Sequence, residues 1–329
     1  MIKKQILEKI KQYKNFLIAA HINPEGDSIC SQLAMANLLI AMGKTVKIIN
    51  ADNVPKNLQF LPGVEKIESY KESEGFKFDA VIILDCPNLE RIGSVRNLLN
   101  EQYIICIDHH VSNDNFGNLN WTDPKASSAG EMVYDLFKSA DIPLDDPSAM
   151  CLYVAIMTDT GSFRYTNTTV KTHNIAADLL KYNFSPNKVY ELIYETKSFE
   201  VMKLLAEVLN NLQRSADGLF VWFRVTDEML KRNNLSSEST EDFIAFVRMV
   251  EGAKVVAFLR EINDGSEVKI SMRSKTDIDV NKIAGHFGGG GHQAASGCVI
   301  ESNIDQAEKM LLEQIKSSIE EHNANKQGK

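Results

Sequence analysis

The chain has no stretch approaching the roughly 18 consecutive apolar residues needed to cross a bilayer. Its opening, Met1-Ile2-Lys3-Lys4-Gln5-Ile6-Leu7-Glu8, reads as an amphipathic helix and not as a secretory leader. Nothing addresses the chain to a membrane or for export, and a cytoplasmic setting is expected. Cysteine is scarce: Cys30, Cys86, Cys106, Cys151 and Cys298 form an odd set without any C-x-x-C spacing, mostly inside or beside apolar runs. They read as reduced core filler, which excludes a disulfide scaffold and a thiolate metal site. Positive charge is in deficit, with 36 Lys and Arg against 44 Asp and Glu and a net charge of −8. Such a surface repels long polyanions, so tight binding to duplex nucleic acid is not expected, while a small anion held in a local basic pocket stays open. Internal repeats and low-complexity tracts are also missing. What remains is an ordinary soluble composition, 44% hydrophobic and 24% charged over 329 residues, long enough for two cores.

The first half alternates short apolar runs with helical patterns, the signature of parallel strands joined by crossover helices in an α/β fold. Strands are expected at Phe16–Ala20, Val46–Asn50, Ala80–Asp85 and Tyr103–Asp108. Between the first two lies a helical apolar series from Ile29 to Ile40, stopped at Gly43. Helices are expected at Ser128–Ala140 and, after the start signal Asp145-Asp146-Pro147, at Asp146–Thr158. Further helical patterns cover Thr169–Leu180, Pro186–Tyr194 and Phe199–Leu212. The texture changes at Arg214-Ser215-Ala216-Asp217-Gly218. Beyond it, strands at Leu219–Val225, Val255–Glu261 and Val268–Met272, a hairpin turn at Asn263-Asp264-Gly265-Ser266 and a helix at Asp305–Glu321 suggest a smaller mixed-sheet domain. The polar tail Asn323–Lys329 should fray. The expected division is residues 1–185 as a parallel-sheet domain, 186–213 as a helical linker and 214–329 as the second domain.

The strands of an open parallel sheet all end on one edge, so residues that terminate different strands converge there. That edge collects His21, Glu25 and Asp27 after the first strand, Asp85 at the end of the third, and Asp108, His109 and His110 at the end of the fourth. Asp159 closes an apolar helix in Thr158-Asp159-Thr160-Gly161. Singly, each has a plain explanation: Asp27 a helix cap, Asp85 and Asp108 strand-end turn formers, His21 an interior histidine. Together they are a cluster of titratable groups of the kind that marks a site. Carboxylates so close cannot all stay ionised cheaply, and divalent cations remove the conflict. Carboxylate and imidazole donors without thiolate suit Mn²⁺, or Mg²⁺, Co²⁺ or Fe²⁺, better than structural zinc. A pair of ions about 3.5–4 Å apart, serving phosphoester displacement by an activated water, is the expected use.

Downstream, the run Gly288-Gly289-Gly290-Gly291 before His292 costs backbone entropy on ordering, and its bare N–H groups can cradle an anion or a nucleotide edge; a flexible turn is the alternative. Arg273, in a strand, offers a guanidinium fork for phosphate, although a strand arginine is more commonly a solvated face. Arg164 and Lys275 are weaker candidates, and Phe287 is expected in the core and not against a base.

Four motifs, His21-Ile22-Asn23-Pro24-Glu25-Gly26-Asp27-Ser28, Leu84-Asp85-Cys86-Pro87, Ile107-Asp108-His109-His110 and Thr158-Asp159-Thr160-Gly161-Ser162-Phe163, occur in this order. They resemble the DHH phosphoesterase superfamily, while Ser271-Met272-Arg273-Ser274 and the glycine run look like its DHH-associated second domain. The short connection between the two is similar to the branch of nanoRNases that cleave short RNA and dephosphorylate 3′-phosphoadenosine-5′-phosphate (pAp). The resemblance implies one metal on His21, Glu25 and Asp85 and a second on Asp27, Asp85, His109 and Asp159, two Mn²⁺ in all with Mg²⁺ or Co²⁺ as substitutes. Asp85 would bridge, Asp108 would orient a ligand histidine, and His110 would face the substrate phosphate. Arg273, Gly288, Gly289, Gly290, Gly291 and His292 would hold the nucleotide. The family usually has Asp where this chain has Glu25, which puts the first metal site in question. The implied activity is hydrolysis of very short oligoribonucleotides to 5′-mononucleotides, of pAp to AMP, or of linear dinucleotides, by a homodimer. The alternatives are a DHH-type pyrophosphatase or polyphosphatase, and a nucleotide-binding module without catalysis.

Overall fold

The computed structural model describes residues 2–70, 76–275 and 278–327, with side chains as far as residue 320. The chain divides into two compact units, Met1–Thr196 and Lys197–Lys329.

In chain order the first unit contains α1 (Ile2–Gln12), β1 (Asn15–Ala19), α2 (Gly26–Ala41), β2 (Thr45–Asn50), β3 (Ile67–Ser69), β4 (Ala80–Leu84), β5 (Tyr103–Asp108) and β6 (Leu119–Thr122). It continues with α3 (Ala129–Ala140), α4 (Asp146–Asp159), α5 (Val170–Leu179) and α6 (Pro186–Tyr194). The strands form one six-stranded sheet in the order β3-β2-β1-β4-β5-β6, parallel throughout. The central strands are the apolar runs expected from the sequence, and they are apolar throughout because both faces are covered. Phe16, Ile18, Ile82 and Ile105 point into a core shared with the helices. The alternate residues Leu17, Ala19, Val81 and Ile83 pack beneath Ile92 and Val95 of the 3-10 segment Leu89–Leu98. Helix α2 is buried around most of its circumference because it packs on β1, β2 and β4 and also against α3 and α4. Asp145 starts α4, its Oδ1 accepting from Ser148 N at 2.9 Å.

The second unit contains α7 (Phe199–Asn210), β7 (Gln213–Arg214), β8 (Phe220–Val225), α8 (Asp227–Arg232), α9 (Phe243–Val247), β9 (Val255–Ile262) and β10 (Glu267–Ser274). It ends with α10 (Val280–His286), β11 (Gly290–His292), β12 (Ala295–Ile300) and α11 (Ile304–Gln327). Its six-stranded sheet runs β11-β12-β10-β9-β8-β7 and is antiparallel except for the parallel pair β8 and β9. One core lies under α10 and α11, another under α7, α8 and α9. Strands β9 and β10 are joined through Asn263, Asp264 and Gly265, all with positive φ, the backbone geometry for which those residue types are suited.

Three expectations need adjusting. The stretch 186–213 is shared between the units: Val189 and Ile193 of α6 lie in the first core, and Val201, Leu204, Leu205 and Val208 of α7 in the second. The glycine run is not a free loop, since Gly290 and Gly291 belong to β11 and pair with Gly297 and Ser296 of β12. The last helix continues to Gln327, past the point where fraying was expected at Asn323, and residues 328–329 lie outside the described residues.

Candidate functional site

The strand order reverses between β1 and β4, and in such a sheet the carboxyl ends of the two strands open a crevice where ligands bind. His21 follows β1 into it. Asp85 follows β4, with its backbone in the left-handed region (φ 53°) and its N–H donated to Ile107 O at 3.0 Å. Asp108 is the last residue of β5, and His109 and His110 come next. Asp27 is supplied by the first turn of α2 and Asp159 by the last turn of α4. These two helices approach closely because residue 26 has no side chain: a Cβ there would lie 2.6 Å from Thr158 Cγ2 and 2.8 Å from Thr158 Cβ. At Gly130, at the start of α3, a Cβ would overlap Ala155 Cβ of α4.

The side chains meet. His21 Nε2 lies 3.4 Å from Asp85 Oδ2. His109 Nε2 lies 3.4 Å from Asp85 Oδ1, 3.6 Å from Asp159 Oδ2 and 3.8 Å from Asp27 Oδ2. Their outer contacts fix their orientation. His21 Nδ1 sits 2.6 Å from Ile22 O, so that nitrogen donates and Nε2 is the one available as a ligand. Asp27 accepts from the backbone N–H groups of Ala129 and Gly130 (2.7 and 2.9 Å) and from Ser31 Oγ (2.9 Å), which places it on the positive end of α3. Asp108, fully buried, accepts at Oδ1 from His109 N (2.9 Å) and His110 Nδ1 (2.7 Å), and at Oδ2 from Asn113 Nδ2 (2.6 Å). Asn167 Nδ2 bridges Ser127 O at 2.9 Å and Asp159 Oδ2 at 3.4 Å.

The donors suit divalent cations. Two sets of ligand atoms lie within 4.8 Å of one another: Asp85, His109 and His110, and Asp27, His109 and Asp159. Asp85 Oδ1 is buried and makes no hydrogen bond, a cost that coordination would remove. The charges are visibly in conflict. Burial, reinforced by Asp85 and Asp159, pushes the Asp27 carboxyl well above its usual range. Burial also raises Asp159 to about 6, against the opposing charge of His109. Burial acts on Asp85 in the same direction, but the imidazoles of His109 and His21, each 3.4 Å away, outweigh it and hold Asp85 at about 2. His109 is driven up to about 10, because the carboxylates of Asp85, Asp27 and Asp159 outweigh its burial. The imidazolium thus does what a cation would do. A bound divalent ion needs a neutral imidazole and ionised carboxylates, so adding Mn²⁺ to the chelated protein near neutral pH should release protons, and affinity should rise with pH. A weakly buffered titration that records no proton release would remove these residues as ligands.

Glu25 stays outside both sets and is exposed, though near enough for its charge to raise Asp159. Sequence reasoning did not reach Asn113 and Ser31, which hold site carboxylates, nor the roles of Gly26 and Gly130. A glycine in the first turn of a helix is the signal available for the last two, since it costs about 1 kcal/mol against alanine unless something needs the space.

In the second unit, strand register puts Arg273 opposite Ala295 and Ala295 opposite His292, and likewise aligns Ser271, Gly297 and Gly290. The glycines have a packing reason: a Cβ at 289 would lie 2.5 Å from Cys298 Cβ, and at 291 it would lie 2.6 Å from Ala295 O. Gly290 meets nothing closer than Asn281 Oδ1 at 3.8 Å. Phe287 packs on the core, as expected. Arg164 Nε donates to Gly161 O (2.7 Å) and Lys275 Nζ to Val250 O (2.6 Å).

Residues 15–156 match the DHH family, N-terminal domain, and residues 225–321 the DHHA1 domain. The chain is 34% identical to a probable bifunctional oligoribonuclease and PAP phosphatase NrnA of Streptococcus mutans, over 89% of this chain and 92% of that protein. It is 30% identical to the bifunctional oligoribonuclease and PAP phosphatase NrnA of Bacillus subtilis, over 95% of this chain and 97% of that protein. Among solved structures, an exopolyphosphatase-related protein from Bacteroides fragilis superposes with a TM-score of 0.88 at 26% identity, covering 96% of this chain and 95% of that one.

Proposed function

Because the chain belongs to the DHH family and carries its DHHA1 domain, we propose that it hydrolyses very short oligoribonucleotides to 5′-mononucleotides and dephosphorylates pAp to AMP. The observation that carries this reading is the meeting of Asp27, Asp85 and Asp159 at the reversal point of the parallel sheet, each within 3.4–3.8 Å of His109 Nε2. Asp27, Asp85, His109 and Asp159 would hold one ion. His21 and Asp85 would hold the other, with Glu25 offering a longer carboxylate than the family's aspartate. Mn²⁺ is the ion we favour, with Mg²⁺ or Co²⁺ as substitutes. Two such ions, when bound, supply positive charge to the phosphoryl oxygens and acidify water.

The residues do the remainder. Asp108 accepts from Nδ1 of His110, so Nε2 faces away from it, and the imidazolium form of that ring, protonated on both nitrogens, could give the Nε2 proton to the departing sugar oxygen. Asn113 and the backbone of His109 keep Asp108 in place for that task. Arg273, His292 and the backbone of Gly288–Gly291 are the residues we assign to the nucleotide. A cytoplasmic homodimer belongs to the same reading, and the five cysteines, all buried free thiols, suit a reducing compartment.

The name of the Bacteroides fragilis protein raises a competing reading, hydrolysis of polyphosphate. A substrate panel decides between them. With Mn²⁺ present, a labelled RNA dinucleotide and pAp should both yield mononucleotide while pyrophosphate and polyphosphate are left intact. Hydrolysis of the inorganic substrates alone would establish the competing reading, and turnover of none would leave a nucleotide-binding module.

A further inference from the structure

Glu131, in the first turn of α3, is a carboxylate that the catalytic reading leaves without a task, and it is only 2% exposed. A buried carboxylate is destabilising unless it is paired and hydrogen-bonded. Its Oε2 accepts from Ser127 Oγ at 2.6 Å and from Ser127 N at 3.2 Å, and its Oε1 lies 2.9 Å from Lys171 Nζ. Ser128 Oγ in turn accepts from Glu131 N at 3.0 Å. The turn from Ser127 to Gly130 is thereby fixed from beneath, and it meets the site with polar backbone groups. The N–H groups of Ala129 and Gly130 go to Asp27, and the carbonyl of Ser127 goes to Asn167 Nδ2.

Asn167 is held in place against two local costs. Its Nδ2 has three acceptors, Ser127 O at 2.9 Å, Asp159 O at 3.2 Å and Asp159 Oδ2 at 3.4 Å. That surplus of acceptors settles which end of the amide is the nitrogen. Its Oδ1 is buried and makes no hydrogen bond, a loss of about 1–3 kcal/mol. The backbone that leads to it is unfavourable as well. Gly161, Ser162 and Phe163 take φ of 55°, 60° and 64° in succession, and each of the latter pair, having a Cβ, costs roughly 1–2 kcal/mol in that region. These residues turn the chain back, so that Asn167 reaches Asp159, the last residue of the helix just completed. Stability alone would select neither the turn nor the unpaired oxygen, and costs of this kind collect where geometry serves function.

Asp27 comes from α2 and Asp159 from α4. The Ser127–Gly130 turn reaches both, the first through its N–H groups and the second through Asn167. We propose that Asn167 is a positioning residue for the metal centre: with the Ser127–Gly130 turn, braced on Glu131, it holds the carboxylates of Asp27 and Asp159 at the separation at which both can ligate one divalent cation. This deepens the two-ion reading given above and rests on it. Like charges this close drive the two side chains apart. A brace that resists the repulsion keeps the pair assembled, and an ion then binds without first reorganising it. Outer contacts of this kind are worth about 10–100-fold in metal affinity.

The test uses the full-length chain, stripped of metal and without substrate, titrated with Mn²⁺ while the free ion is followed by electron paramagnetic resonance. Asn167→Leu keeps the approximate shape of the side chain and removes its N–H donors. Its Mn²⁺ dissociation constant should rise about 10–100-fold. Its thermal midpoint in EDTA should stay within about 3 °C of the wild type, because the unpaired Oδ1 is lost together with the bonds. Thr168→Val is the control: Thr168 Oγ1 is also buried and makes no hydrogen bond, and this variant should bind Mn²⁺ as the wild type does. Wild-type affinity in Asn167→Leu, or an equal loss in Thr168→Val, overturns the proposal. So does a midpoint in EDTA lowered by more than about 5 °C in both Asn167→Leu and Asn167→Ser, which would leave residue 167 a purely structural part. Uptake of no Mn²⁺ by the wild type would instead bring down the two-ion reading, and this one with it.

Discussion

Asp85→Asn should fold as the wild type does and lose RNA dinucleotide hydrolysis by about a hundredfold or more, at least ~2.7 kcal/mol of barrier. Asparagine is the informative replacement because residue 85 has φ 53°. Asn adopts that left-handed backbone readily, whereas alanine would add strain and confuse a chemical loss with a structural one. The size of the effect follows from what the carboxylate touches. It faces His21 on one oxygen and His109 on the other, and the oxygen toward His109 is buried without a hydrogen bond. In the proposed site Asp85 would serve both ions, and an amide cannot bring negative charge to two cations at once, so both would be held more weakly after one substitution. Circular dichroism and the thermal midpoint of the chelated protein establish the fold, and kcat/KM with saturating Mn²⁺ establishes the loss. A variant that keeps more than about a tenth of the activity would show that Asp85 does not serve both proposed ions.

Gly26→Ala should be nearly as damaging although residue 26 bears no chemistry. The added methyl would meet Thr158 Cγ2 at 2.6 Å and Cβ at 2.8 Å. Thr158 cannot turn away, because its hydroxyl donates to Val154 O and Ala155 O, 2.9 and 3.1 Å distant, within α4. Helices α2 and α4 must therefore part, and the residues carried next to the contact are Asp27 and Asp159. Overpacking of this kind costs about 1–3 kcal/mol of stability, and a displacement near 1 Å in a catalytic array costs on the order of a hundredfold in rate. Pairing the change with Thr158→Ala, which removes the nearest atoms, should restore part of both. Wild-type kcat/KM in Gly26→Ala would mean that this helix contact does not set the separation of the two carboxylates.

The same contact marks the limit of what the sequence discloses. Strands such as β4, Ala-Val-Ile-Ile-Leu, are legible because burial on both faces leaves no polar residue to interrupt them. The residues that end β4, β5 and α4 are legible for a related reason: a carboxylate or histidine abutting an apolar run stands out. Edge strands leave a fainter trace. β3, Ile-Glu-Ser, and β6, Leu-Asn-Trp-Thr, are short and half buried, so neither carries an uninterrupted pattern; β12, though interior to its sheet, is equally faint because it begins with Ala-Ser-Gly. Interactions between distant segments leave no trace at all. Gly130 on Asp27, and Gly26 against Thr158, depend on how helices return to the sheet, and no local spacing encodes that. The glycine run shows the opposite difficulty, since a ligand cradle and a close-packed edge strand require the same residue.

The reversal of strand order between β1 and β4 has one more effect, on durability instead of rate. Positions 27 and 159 become neighbours only in the native topology, so a cation shared by them is a clasp that the unfolded chain cannot offer. Whatever ion occupies the crevice therefore adds RT ln(1 + [L]/Kd) to the folding free energy, about 2.7 kcal/mol at a hundredfold excess over Kd. Were an ion held there, stripping it would leave a chain that is easier to melt and to digest, and the lifetime of the protein would follow the supply of metal.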